Sequence, residues 1–184
     1  WWANDAAAGN GVMFPKSATV QYYDSATDKW IDITDMIDES GNAVTTLGVK
    51  YGSASEAGTD ASQYLGENNR YWNGVRFKNV IKTNKLRILT DRQDSADAKS
   101  GIAIGEWKVF GEENVPTIAE GINIAPKASV TADYSNTDTA PDKVNDMQLA
   151  SNAKTTWNTW CSEGNLEYPQ PITMTWDNPY DISS

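Results

Sequence analysis

Apolar and polar residues alternate along much of this chain with the two-residue period of a β-strand. Nowhere do they follow the 3.6-residue period of an amphipathic helix. In SATVQYYD (Ser17 to Asp24) the alternation puts Ala18, Val20 and Tyr22 on one face. DKWIDIT (Asp28 to Thr34) follows after a Ser-Ala-Thr turn, and the two segments read as a hairpin. VRFKNV (Val75 to Val80) alternates with Arg76 and Lys78 outward, and KLRIL (Lys85 to Leu89) turns Leu86 and Ile88 inward. KASVTADY (Lys127 to Tyr134) and ITMTW (Ile172 to Trp176) complete the clear set, and Asp35 to Ser40 offers at most one short turn. Short strands punctuated by Gly, Asn, Asp and Ser predict an all-β, antiparallel sandwich or barrel.

GIAIGEWKVFG (Gly101 to Gly111) is more specific. Ile102 and Ile104 share a face, but the next apolar pair is Trp107 and Val109, so the phase slips by one at Gly105-Glu106. A one-residue slip beside a glycine is the mark of a β-bulge. A bulge turns a carbonyl out of its ladder, here next to a carboxylate, which suits an oxygen-rich cation site. The same slip also fits a plain twisting bulge with Glu106 solvated. Two irregular stretches remain. Residues 40–70 are rich in Gly, Ser, Ala, Asn and Thr and read as a surface insertion, with room for one short strand at VTTLGVKY. Residues 112–121 read as a linker.

Composition removes whole classes of function. The 184 residues include no histidine, so a Ser-His-Asp triad, a Cys-His pair and an imidazole metal site are all excluded. With 15 Lys+Arg against 25 Asp+Glu the formal charge is −10, which argues against nucleic acid or an anionic membrane as partner. No apolar run approaches the roughly 20 residues of a membrane span. The single cysteine, Cys161, cannot form an internal disulfide, and no His stands by to activate it. Eight Trp and eight Tyr against three Phe suit exposed stacking surfaces as well as half-wet cores. The opening Trp1-Trp2-Ala3-Asn4, without a basic n-region or initiator Met, reads as a piece of a larger protein.

From Ile122 the chain runs INIAPKASVTADYSNTDTAPDKVNDMQLASNAKTTWNTW, then PQPITMTWDNPYDISS. This resembles the opening half of a discoidin domain, also called the coagulation factor V/VIII C-type domain. WWANDAAAGNGVMFPKSATVQYYDSATDKWIDIT, then WNGVRFKNVIKTNKLRIL, then SGIAIGEWKVFG resemble the closing half. The halves stand in permuted order. Residues 1–111 carry the C-terminal half of the pattern, 112–121 the linker and 122–184 the N-terminal half. The resemblance implies one antiparallel jelly-roll β-sandwich of the galactose-binding-domain-like type. It would be circularly permuted, cut from a tandem array, or domain-swapped as a dimer. It further implies that the last β-segment and the opening tryptophans lie side by side and close one shell. The pieces are most similar to carbohydrate-binding modules (family 32-like) appended to bacterial glycoside hydrolases that release arabinose or galactose.

In that family a structural calcium is held between two loops, and the matching positions here are Asn145, Asp146, Thr155, Gly105 and Glu106. This chain departs from the pattern, for Asn145-Asp146-Met147 replaces a loop with two acids around a Gly. Sugars bind in the family at loops of one end of the sandwich. The resemblance assigns Trp160 and Tyr168 to stacking and Asn4, Asp5, Arg92, Glu163 and Asn165 to the sugar hydroxyls. Trp157 in TTWNTW reads as core. Asn4-Asp5 reads equally as an Asx-turn. Glu163 and Glu167 are paired carboxylates of the kind glycosidases use, but nothing around them signals burial or a raised pKa. The expected function is therefore noncatalytic: a secreted or cell-surface module that brings a catalytic glycoside hydrolase domain of the same chain to a polysaccharide or glycan. The alternative is a spacer that packs against its catalytic neighbour and binds no sugar.

Overall fold

The structure is a computed structural model that describes residues 2–3, 12–13, 15–49, 72–92, 101–112, 122–148, 157–159 and 166–184. The strands are β1 (Trp2–Ala3), β2 (Val12–Met13), β3 (Ser17–Asp24), β4 (Lys29–Asp32), β5 (Met36–Asp38), β6 (Ala43–Val44), β7 (Val75–Phe77), β8 (Ile81–Asp91), β9 (Gly101–Ile104), β10 (Phe110–Glu112), β11 (Ile122–Asn123), β12 (Ser129–Ala132), β13 (Trp157–Asn158) and β14 (Gln170–Ile182). Among the described residues, helical structure is confined to two 3-10 turns, Ala125–Lys127 and Pro141–Val144. The largest sheet has the order β11-β10-β14-β8-β3-β4, with β12 also on β14. A second sheet runs β1-β9-β13, with β2 also on β9, and a third runs β6-β5-β7. All these pairings are antiparallel except β2 on β9.

The alternation read from sequence is what the large sheet buries. Ala18 and Val20 on β3, Leu86 and Ile88 on β8, and Ile172 and Met174 on β14 point to one face, each no more than 4% exposed. They join Ile102, Ile104, Val109, Ile124, Trp157 and Trp176 in one cluster, so residues from both halves of the chain share a core. Trp157 is the core residue that was expected; its indole N–H donates to the Tyr134 carbonyl and the Ser135 hydroxyl at 3.2 and 3.0 Å. On the opposite face of the large sheet, the guanidinium of Arg87 lies 4.2 Å from the Trp30 ring and the ammonium of Lys85 4.8 Å from Tyr23. Tyr23 and Trp30 meet edge to face at 5.5 Å across the β3-β4 pair. These rings are already covered by the protein's own cations.

Local chemistry sets the turns. Between β3 and β4 the Asp24 carboxylate accepts from the Ala26 N–H and the Thr27 hydroxyl, the hairpin turn expected there. These hydrogen bonds hold the Asp24 carboxyl below its ordinary value. Asp35 to Ser40, expected as one short turn, instead holds β5. The turn comes after it, where the Asp38 carboxylate accepts from the N–H groups of Ser40 and Asn42 and Gly41 takes a φ of 84°. VRFKNV is a strand only to Phe77; Lys78 bonds back to Asp35, and Val80 is 63% exposed. Of VTTLGVKY only Val44 belongs to a strand among the described residues. ITMTW is the first part of a longer strand. Thr175 pairs with Lys85, but Tyr180 pairs with Thr83, so residues 176–179 bulge out opposite Asn84. Pro179 has no N–H to give a ladder, which suits a bulge.

One expectation is overturned. The last β-segment and the opening strand at Trp2 do not lie side by side in one sheet, and Trp1 lies outside the described residues. β1 belongs with β9 and β13, whereas β14 belongs to the large sheet. The two ends lie instead one after the other along a shared partner. Trp2 pairs with Ile104, and Ser183 and Ser184 bond to Phe110, all within the stretch that runs from β9 into β10. Both pairings are antiparallel. The approach of β10 to β14 is close: a Cβ on Gly111 would lie 2.7 Å from the Asp181 carbonyl, so only glycine fits.

Ile172 is fully buried in the middle of the β8-β14 ladder, so Ile172→Ala is expected to cost about 2–5 kcal/mol, read as a lowered urea midpoint. Trp30→Ala, which removes a half-buried ring on the outer face, is expected to cost about 1 kcal/mol in the same experiment.

Candidate functional site

The phase slip at Gly105-Glu106 is visible in where the backbone points. Ile102 exchanges hydrogen bonds with Thr159 on one flank. Beyond the slip, Trp107 donates to the Val144 carbonyl at 2.6 Å, and the Val109 carbonyl accepts from Ile124, on that same flank. An even-numbered residue faces this flank before the slip and odd-numbered residues after it, which is what one inserted residue does. The Trp107–Val144 bond brings the bulge against the Asn145-Asp146 loop. Four of the five proposed calcium positions therefore fall in two adjoining segments: Gly105 and Glu106 in one, Asn145 and Asp146 in the other. Thr155 lies outside the described residues.

Glu106 is not the solvated bulge residue of the simpler reading. It is 3% exposed, and burial pushes its carboxyl up to about 7, with the Asp146 charge adding to the rise and Lys108 opposing it. Asn145 is buried as well, its amide nitrogen donating to the carbonyls of Ala125 and Ala128 at 2.8 and 3.0 Å. That leaves its amide oxygen as the acceptor. Asp146 accepts from the Gln148 N–H at 2.9 Å and sits 3.9 Å from the Lys143 ammonium. Among the described residues no group of three or more Cys, Asp or Glu side chains is placed to hold a metal, so a cation here would need carbonyl oxygens beside the carboxylates.

The second candidate lies where β8 ends and β14 begins. The Arg92 guanidinium stands 5.4 Å from the centre of the Tyr168 ring. The Tyr168 hydroxyl lies 3.0 Å from the Thr159 hydroxyl, which in turn accepts from the Ile102 N–H at 2.7 Å. Thr159 is buried, so the phenol is tied through it to β9 while the ring faces a cation. Gln170, mostly buried nearby on β14, donates its amide to the Glu167 carbonyl, and its amide oxygen has no hydrogen-bond partner among the described residues. Of the seven sugar-site positions drawn from the resemblance, the structure brings together Arg92 and Tyr168. Trp160, Asn4, Asp5, Glu163 and Asn165 lie outside the described residues. Thr159 and Gln170 were missed in the sequence. The T-x-W pattern drew attention to Trp157, and a threonine two residues later carries no signal of its own.

A cavity lies away from the Tyr168 site. It has a volume of about 520 Å³ and is bordered by Glu106, Trp107, Phe110 and Ser184 on one side and by residues 72–77 on another. No protein-family model, curated protein or solved structure matches the chain.

The raised carboxyl predicts a pH dependence. In the unfolded chain Glu106 loses its proton near its ordinary value of 4.5; in the folded protein it keeps it to about 7. The folded state therefore binds more protons in that window, and stability falls as pH rises through it. The penalty is absent below about pH 4.5 and complete above about 7. Glu106→Gln is expected to flatten this loss, so that in metal-free buffer the variant gains on the parent between pH 5 and pH 8 in urea denaturation.

Proposed function

We propose that this chain is a noncatalytic, discoidin-like jelly-roll module that binds carbohydrate beside a catalytic glycoside hydrolase domain. The observation that carries the reading is the Arg92–Tyr168 pair. The two residues come from separate stretches of the chain, 76 positions apart, and meet at one rim with the phenol oriented through Thr159. A sugar presents apolar C–H faces and a ring of hydroxyls; a held aromatic beside a guanidinium and an amide offers contacts to both. The two ends lie in different sheets and lend no support, which comes from this rim and from the sequence motifs. Its mechanism is proximity. Weak attachment to arabinose- or galactose-containing glycans raises the substrate concentration felt by a linked enzyme. A shallow rim implies monovalent affinities from tens of micromolar to millimolar, about 4–6 kcal/mol.

Affinity electrophoresis through gels containing arabinan, arabinogalactan or galactan tests it. The parent is expected to be retarded, Arg92→Ala and Trp160→Ala to run freely, and Tyr168→Phe to keep most of the effect because its ring remains. The spacer alternative is favoured by the one feature that counts against an open platform, the Arg92 side chain over the Tyr168 face. Retardation by none of the glycans would support it.

Calcium belongs to the same proposal. Glu106, Asp146, the Asn145 amide oxygen and the Gly105 carbonyl are hard oxygen donors, the chemistry Ca²⁺ selects, with Thr155 as the fifth position. A cation there would relieve the desolvated Glu106 carboxylate and bind the bulge to the Asn145-Asp146 loop. Millimolar Ca²⁺ at pH 7.5 is expected to raise the Tm of the parent by several degrees, and to have no effect on Glu106→Gln. An equal rise in both, or none in either, would remove the cation from the proposal.

A further inference from the structure

In an Asn-Gly dipeptide the backbone nitrogen of the glycine reaches the asparagine side chain with least obstruction, because glycine carries no Cβ. The chain has two such dipeptides, Asn10-Gly11 and Asn73-Gly74, and the second lies among the described residues. Its surroundings follow from the register of β5 and β7. Met36 stands opposite Phe77, Ile37 opposite Arg76 and Asp38 opposite Val75. The Lys78 N–H donates to the Asp35 carbonyl at 3.0 Å, whereas Phe77 turns its N–H the other way, to Ser183. Period-two alternation therefore points the N–H groups of Lys78, Arg76 and Gly74 toward β5. The same register sets Gly74 opposite Glu39. β5 ends at Asp38, and the turn built on the Asp38 carboxylate carries the backbone away. The Glu39 side chain completes the rung instead: its Oε1 accepts from the Gly74 N–H at 3.2 Å. Packing here is tight. A Cβ on Gly74 would lie 2.6 Å from that oxygen, and a Cβ on Gly48 would lie 2.6 Å from the Asn73 Oδ1.

We propose that Asn73-Gly74 is a modification site that deamidates through a succinimide, and that the Glu39 carboxylate sets its rate. In the reaction a base from solvent takes the Gly74 amide proton. The nitrogen forms a bond to Asn73 Cγ, the Cγ–Nδ2 bond breaks, and Nδ2 leaves as ammonia with a proton from water. A second water opens the imide at either of its carbonyls and leaves an aspartyl or an isoaspartyl residue at position 73. Water is the co-reactant, and nothing is oxidised or reduced. Glu39 opposes the first step in two ways. Its hydrogen bond stabilises the N–H form, and its negative charge disfavours the amide anion. The last rung of the β5-β7 ladder is thus a latch made by a side chain, which a substitution can remove without touching the backbone.

The product acts on the small sheet. An isoaspartyl linkage routes the backbone through the former side chain and adds a main-chain atom just ahead of the Val75–Asp38 pair. Either product also brings a new carboxylate close to Glu39. Both changes loosen β7 from β5. Asn73, Gly74 and Val75 border the 520 Å³ cavity, so its wall loosens with them. The inference uses neither Arg92 nor Tyr168 and stands apart from the carbohydrate reading.

Incubation of the full 184-residue chain in mildly alkaline buffer, followed by peptide mapping that separates aspartyl from isoaspartyl products, tests it. Asn10-Gly11 serves as an internal clock in every digest. Relative to that clock, deamidation at position 73 is expected to rise about 5- to 10-fold in Glu39→Ala, and by less in Glu39→Gln, which keeps an acceptor without the charge. Absence of product at position 73 in Glu39→Ala would overturn the site. Equal rates in the parent and Glu39→Ala, or a rise shared equally by both dipeptides, would overturn the role of Glu39. Parent protein enriched in the position-73 product is expected to exchange the Arg76 amide about 10-fold faster than fresh protein. Unchanged exchange there would remove the effect on the sheet.

Discussion

The antiparallel ladder between β8 and β14 governs the rest of the structure. Nine residue pairs, from Gln170↔Thr90 to Ile182↔Ile81, align two long strands that come from opposite halves of the chain. Period-two alternation on both strands leaves one register in which Leu86, Ile88, Ile172 and Met174 all face inward, and a slip of one residue would turn them to solvent. With that register set, β3 is held on one flank and β12 and β10 on the other. The four-residue irregularity at residues 176–179 then lets β14 keep pairing while its outer edge changes partner from β12 to β10. Trp176, at the start of the irregularity, is locked by its indole N–H on the Ile124 carbonyl at 2.9 Å.

The stretch from β9 to β10 distributes the remaining contacts. It gives one flank to the second half of the chain, through Thr159, Val144 and Ile124, and the other to the two chain ends. Alternation from Ile102 and Ile104 already sends Glu106 to their face, and the one-residue slip then brings Val109 inward after it, so the acid is buried between apolar neighbours. The cost of desolvating it is visible in its raised proton affinity, and the neighbouring Asp146 adds to the cost. A carboxylate buried at such expense next to a second one makes the bulge a chemically distinct place in an otherwise apolar wall.

Legibility followed sequence distance. The strands of the large sheet could be read from the chain because alternation is a local property, and Ala18, Val20, Leu86 and Ile88 point where the pattern sends them. The bulge could be read because a phase slip beside a glycine is also local. β5 could not, since Met36-Ile37-Asp38 is too short to show a period, and it is a strand only because β7 and β6 flank it. Thr159 and Gln170 had no signature, because a threonine or glutamine acquires a role from what folding places beside it.

The order of hydrophobic and polar residues, by itself, determined that this chain builds antiparallel sheets, which side of each long strand faces the core, and that Gly105-Glu106 interrupts a strand. These follow from bond geometry that repeats every two residues. Tertiary structure alone decided that Arg92 meets Tyr168, that Glu106 is buried beside Asp146, and that Trp2 and the last β-segment follow one another along the stretch from β9 to β10 instead of lying abreast. Each of those depends on contacts between residues tens of positions apart, where the outcome is set by which surfaces pack together and not by any repeating pattern along the chain.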